Sequence, residues 1–331
     1  MSQSVERARA AGLIARLRAA SAPLRRPALR ALETLFTLWL LATLCFVLLR
    51  AAPGGPFDTE KAVPPEVQAA LEAQYRLDLP PLAQYAAWLG DVLQGDLGPS
   101  FQYPDYSVNA LIAQALPVSL LNGGLALALA LLFGVPLGVW SALRGGTWTD
   151  RALMALAGLG VSLPKFVVAP LLVLVFAVGL QWLPAGGWGE WDNVVLPAIA
   201  LALPNLAYCA RLTRAAMLDA LSAEHLVAAR GRGLSDARLL FAHALPMASL
   251  PVVAWLSAAL INIVTGSAVV EQVFGIPGMG RYFVQGALNR DYTLVLGTVL
   301  VVGAAIVAIG ALVDALRARI DPRLRDAAQV R

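Results

Sequence analysis

Lysine, histidine and cysteine occur only twice each in this chain, and charge of either sign is scarce. These shortages exclude a good deal of chemistry. With Lys61 and Lys165 as the sole lysines and no GxxxxGK[ST] run, there is no phosphate-binding loop of that type. HExxH is absent, and His225 and His243 lack acidic or cysteine companions at ligand spacing, so no metal site is expected. Neither histidine falls in an apolar run, which leaves any serine nucleophile there without a base. Cys45 and Cys209 do fall in apolar runs, where cysteine behaves as a small buried hydrophobe. No cofactor, metal or catalytic centre is expected in this chain, and nucleic acid is not among its expected partners.

What is abundant is apolar surface. Charged residues make up 14% of the 331, against about 25% in soluble domains. Crossing about 30 Å of hydrocarbon takes around 20 residues in a helix. About six apolar runs meet that length, near 32–50, 110–143, 151–181, 193–217, 246–270 and 292–316. They lack the alternation of barrel strands, and a helix satisfies every backbone group internally. The expected fold is therefore all-α, with about six transmembrane helices and the lipid bilayer as solvent.

Charge placement orients them. Residues 1–30 carry seven arginines and one acid, whereas 51–116 carry eight acids with only Lys61 and Arg76 as bases. Positive loops stay inside. Both termini, 144–150 and 218–245 are then cytoplasmic, while 51–109, 182–192 and 271–291 lie outside. The first run ends at Arg50 rather than at a small-residue cleavage site, so it is read as a retained helix. Within 51–109, Pro64 and Pro65 precede Val67, Leu71 and Tyr75 at helical spacing, which predicts short amphipathic helices in a collar. Gly134 and Gly138 flank Pro136 in the second run. Close helix crossing explains such glycines, but their ordinary abundance in membrane helices does so more simply.

One stretch is out of character. Glu224 to Pro246 reads EHLVAARGRGLSDARLLFAHALP and holds both histidines. Ser222 is expected to cap a helix through Glu224 to Arg232, and Gly233 to end it in the left-handed conformation with Leu234 folded back toward Ala229. Ser235 would cap a second helix running to about Ala244, with Pro246 opening the fifth span. Val227, Ala228, Ala229, Gly233, His243, Leu245 and Pro246 resemble the "EAA, x3, G, x9, I-x-LP" loop of permease subunits of bacterial ABC importers. Val227 stands where that pattern has Glu, and His243 where it has Ile. LLRAAPGGP, GDLG, FVVAPLLVLVFAVGLQWLPAGGW, VEQVFGIPGMG, ALNRDY and IDPRLR extend the similarity across 32–325, toward the oligopeptide, dipeptide and nickel branch and its oligopeptide permease B subunits.

That resemblance implies a type I ABC importer transmembrane domain over 32–325, in the bacterial inner membrane, between an arginine-rich segment 1–31 and a tail 326–331. The implied partners are a sister permease, two cytoplasmic ATPases that bind ATP and Mg, and a periplasmic or lipid-anchored peptide-binding protein, with peptide as cargo. The implied coupling set in 218–245 is Glu224, Ala228, Ala229, Gly233, Leu234, His243 and Pro246. Lys165, an ion in an apolar run, faces either a pathway or a kink made by Pro164 and Pro170. Asn205, Asn262 and Thr265 are polar residues near the spans that fit interhelical bonds or a pathway. Glu271 and Arg281, with Arg290 and Asp291, fit an outer gate, a binding-protein contact or a solvated loop. Within this class, dipeptide and nickel importers remain alternatives. A secondary carrier would need buried acids for ion coupling, and the apolar runs offer almost none besides Asp314.

Overall fold

The computed structural model describes residues 29, 31–52, 54–57, 64–103 and 105–320. The expected segment 1–31, all but its last residues, and the tail 326–331 lie outside the described residues. The chain divides into two compact units at Ala52/Pro53. The first contributes helix α1, Ala31–Ala51, apolar and long enough to span a bilayer.

The second unit begins with α2 (Pro65–Gln74) and α3 (Pro81–Leu93), each with proline at its first position, where a missing N–H costs nothing. They are the short helices expected in this segment. Phe57, Tyr75 and Phe101 pack ring against ring, and Phe101 also meets Tyr292, which opens the last helix. The remaining helices follow: α4 (Val108–Leu143), α5 (Trp148–Ser162), α6 (Lys165–Leu172), α7 (Val195–Ser222), α8 (Glu224–Gly231), α9 (Asp236–Arg238), α10 (Leu245–Phe274), α11 (Met279–Leu288) and α12 (Tyr292–Ile320). Among the described residues five helices are long and apolar enough to cross a membrane, or six if α5 and α6 count as one broken span.

That broken span falls within the third apolar run, 151–181, where a kink at Pro164 and Pro170 is one expectation, and the break is sharper than a kink. α5 and α6 meet at 104°. Pro164 is the cause: it disfavours helical geometry at the residue before it, and Leu163 is extended, at φ −77° and ψ 121°. After Pro170 the helix widens into a π turn over Val173–Gly179.

α4 and α7 form the central crossing. Built onto Gly134, a Cβ would lie 2.9 Å from both the Leu206 carbonyl and the Cys209 Cβ. On Gly138 it would lie 2.5 Å from the Ala210 carbonyl. These two glycines therefore do let backbones approach, the reading that abundance alone had made second choice. Toward one end, α4, α6, α7 and α10 share a core of Val118, Ala126, Val168, Leu196, Leu201 and Phe274. At the other end, the end of α4, the end of α7 and the start of α10 close around Ala142, Met217, Ala220, Ala244 and Ala248.

Candidate functional site

The polar stretch Glu224–Pro246 forms an elbow beyond that second core. α8 starts directly from α7 through Ala223, and Ser222 sits inside α7 donating to the Asp219 carbonyl, so the expected Ser222 cap is not formed. The C-terminal turn forms as expected. Gly233 has φ +85°, and the Leu234 amide donates to the Ala229 carbonyl at 3.3 Å. Ser235 takes the cap position without a side-chain bond.

The second arm differs from expectation. α9 does not end near Ala244 but passes through a π turn, Leu239–Ala244, straight into α10, giving one helical stretch from Asp236 to Phe274. The Leu245 amide bonds the Leu240 carbonyl five residues back. Pro246 has no N–H and crowds the carbonyl four residues before it, and the wider turn relieves that crowding. The elbow's second arm and the fifth span are thus one rod.

Its first arm is pinned by Leu226, 4% exposed in the core of Met217, Ala220, Ala244 and Ala248. Burying a leucine contributes roughly 1.5–3 kcal/mol. Arg230 pairs with Asp236 at 3.2 Å across the bend, but both are exposed and the pair adds little. His225 lies 3.2 Å from the Met247 sulfur. The outward surface is formed by Glu224, Ala228, Gly233, His243 and Pro246, all exposed, and by two apolar side chains outside the expected coupling set: Val227 at 62%, noted only as a departure from the motif, and Phe241 at 67%. Ala229, expected on the approach surface, is buried inside the elbow, and Leu234 is half-buried. In the sequence the available signal is Phe241 standing in this polar stretch; its exposure shows only in the fold.

Beside the elbow lies a clamp the sequence reading missed. Arg214 holds buried Asp150 through two bonds, Nε to Oδ1 at 2.5 Å and Nη2 to Oδ2 at 2.7 Å. Ser141 Oγ and the Gly146 amide donate to the same carboxylate at 2.5 and 2.9 Å. α4, α5 and α7 are tied there by one fully satisfied group.

At the opposite end, Glu271 is 0% exposed and Asp291 likewise. Glu271 remains within α10, and 271–290 is helical apart from Gly275–Gly278 and the turn at 289–290. Its carboxylate accepts from Ser119 Oγ at 2.6 Å and from the Gly280 and Arg281 amides at 2.8 and 3.1 Å, capping α11. Asp291 accepts from Ser100 Oγ and from the amides of Phe101, Gln102 and Leu294. Neither is a solvated loop residue: both brace this end of the bundle from inside. Arg281 donates to the Gly275 carbonyl at 2.9 Å, and Arg290 to Gly55. Asp150 and Glu271 also correct the expectation that acids are almost absent from the spans. Each is bonded by the fold itself, which gives neither a free ion-coupling role.

Three of the expected pathway residues come together. Lys165 Nζ donates to the carbonyl and to Oδ1 of Asn262, at 2.8 and 2.9 Å. Thr265, one turn on, is exposed and bonds the Ile261 carbonyl. Asn205 does not join them. It is buried in α7, and its amide nitrogen bonds the Leu201 carbonyl beside the break at Pro204. The Asn122 amide is buried without a partner among the described residues, and nothing in the structure accounts for it.

The apolar spans define an integral membrane protein with one polar elbow at one end, and the sequence places it in a family. Residues 134–326 match the family described as binding-protein-dependent transport system inner membrane component, and the chain belongs to it. The oligopeptide transport system permease protein OppB of Salmonella typhimurium is 48% identical over 298 residues, covering 89% of this chain and 97% of that one. The dipeptide transport system permease protein DppB of Bacillus subtilis is 40% identical over 289 residues, 87% and 94% of the two chains. Among solved structures, an amino acid ABC transporter crystallised with histidines superposes with TM-score 0.52 over 64% of this chain and 94% of its own. At 19% identity that likeness establishes the fold alone, an ABC importer permease.

Proposed function

We propose that this chain is the permease subunit of an ATP-driven oligopeptide importer. With a sister permease it forms the pathway through the bacterial inner membrane, with the elbow and both termini on the cytoplasmic side. Two cytoplasmic ATPases bind ATP and Mg and dock on the elbow, and an external binding protein delivers the peptide. The chain itself catalyses nothing. Oligopeptide cargo is favoured over dipeptide by 48% against 40% identity to the relatives so named.

The observation that carries the coupling role is the construction of the elbow. Val227, Ala228, Phe241 and His243 present a partly apolar outer surface, while Leu226 roots one arm in the core and the other arm is continuous with α10. A push on that surface reaches three long helices without first deforming the loop. ATP can drive such a change only by favouring one of two states of the assembly.

The test is peptide uptake by proteoliposomes holding the complete complex and binding protein. Gly233→Pro removes the Arg230-bonded amide and the positive φ together. ATP-dependent uptake should fall at least tenfold, with complex assembly retained by the milder Phe241→Ala. Uphill uptake without the ATPases, or undiminished ATP-dependent uptake by Gly233→Pro, overturns the proposal.

A further inference from the structure

Lys165 is an ammonium in the broken span, half-buried, and its two bonds are both to neutral oxygens of Asn262. The ion pairs among the described residues are Arg76–Asp91, Arg214–Asp150, Arg230–Asp236 and Arg317–Asp314, and none includes it. An ionised group away from bulk water is costly, and such groups in membrane proteins face partners or aqueous cavities. The side chain lies against Gly266, whose missing Cβ leaves the room that the Nζ occupies. Asn262 and Thr265 stand one turn apart on an exposed side of α10, adding two polar side chains beside the cation.

We infer that Lys165, parked on Asn262, is a contact for a carboxylate of the passing peptide, which makes this permease favour cargo that presents one to it. The inference rests on the importer reading above. An ammonium has three donors and the Asn262 contacts occupy two, so one N–H can engage a carboxylate oxygen before the others let go. Two neutral acceptors keep the cation bonded between cargoes, and being neutral they compete weakly with a carboxylate. This suits a contact that must be made and broken in each cycle. A permanent acid on the sister subunit would need no such resting place. The carboxylate is either an acidic side chain or the C-terminus of the peptide.

The experiment uses the complete complex with its binding protein saturated, in proteoliposomes, and three peptides: Ala-Glu-Ala, Ala-Gln-Ala and the C-terminal amide of Ala-Gln-Ala. Lys165→Met is compared with the unmodified protein for each. The same binding protein delivers all three, so its preference cancels in the ratio. One charged hydrogen bond is worth about tenfold. Lys165→Met should therefore slow Ala-Glu-Ala about tenfold more than Ala-Gln-Ala if the side chain is the source. If the C-terminus is the source, both acids slow about tenfold and the amide less than twofold. Lys165→Arg should restore most of either loss.

Equal slowing of all three peptides, as a broken pair with a sister acid would give, overturns the inference, and so does no change. Absence of uptake by the unmodified complex would instead overturn the importer reading, which keeps the two failures apart.

Discussion

Removing the Glu271 carboxylate should destabilise the protein before it affects anything else. Three donors converge on it in a site without water access: Ser119 Oγ, the Gly280 amide and the Arg281 amide, at 2.6–3.1 Å. Ser119 in turn accepts from the Met279 amide at 2.8 Å, so its hydroxyl hydrogen has to go to Glu271. Glu271→Ala strands three buried donors. At about 1–3 kcal/mol for each unsatisfied group, the loss is roughly 3 kcal/mol or more. Glu271→Gln keeps the shape and one oxygen, but its NH2 then meets the hydroxyl hydrogen of Ser119 or displaces it, at about 2 kcal/mol. Ser119→Ala leaves the Met279 amide and one carboxylate oxygen short, a smaller loss, and the double variant should cost less than the sum because the groups share one network. Thermal unfolding of the detergent-solubilised complex, read by loss of the monodisperse peak, gives the order. A Glu271→Ala protein as stable as the parent but deaf to the binding protein would refute the bracing role and restore the outer-surface reading.

Two further changes test the rest of the frame. Gly138→Val sets a side chain against the Ala210 carbonyl and should abolish accumulation of the folded complex, whereas Gly310→Ala, with nothing within 4 Å, should be neutral; immunoblots of membranes decide. Asp150→Ala leaves Arg214 without its carboxylate and strands the Ser141 and Gly146 donors, so it should lower the unfolding temperature, while Asp150→Ala with Arg214→Met should recover part of the loss in the same assay.

Much of the architecture was legible because lipid leaves so few options. Apolar runs of sufficient length had to be helices, and the six positions read from composition correspond to five helices and one bent pair. The Gly233 turn was legible because one residue type in one conformation ends a helix that way. What escaped depends on pairings between distant residues. Nothing near Asp150 in the chain announces Arg214, 64 positions on, and nothing near Glu271 announces Ser119. Read singly, a carboxylate beside a predicted loop looks solvated; only the packed helices show its donors. The 104° break was half visible, since Pro164 was noted as a kink, but its angle is set by what α6 packs against.

The distribution of those hidden pairings bears on how the molecule would move under the proposed function. Near the elbow, Asp150–Arg214 binds α4, α5 and α7, and Leu226 adds α8 and the start of α10 to the same unit. At the far end, Glu271 and Asp291 bind α10, α11 and α12 to the start of α4 and to the 100–102 loop. Each end is therefore fixed by bonds that are expensive to break in a low-dielectric setting. Between them, α4, α7 and α10 meet through small residues, with Pro136, Pro204 and Pro251 interrupting their backbone ladders. Compliance belongs in that middle zone, where a shift costs van der Waals contact rather than buried polar pairs. Lys165 and Asn262 sit there, joined by bonds between α6 and α10 that an arriving carboxylate can replace. Cargo and gate would then compete for the same cation, so that opening the gap between α6 and α10 and accepting an anion become one event.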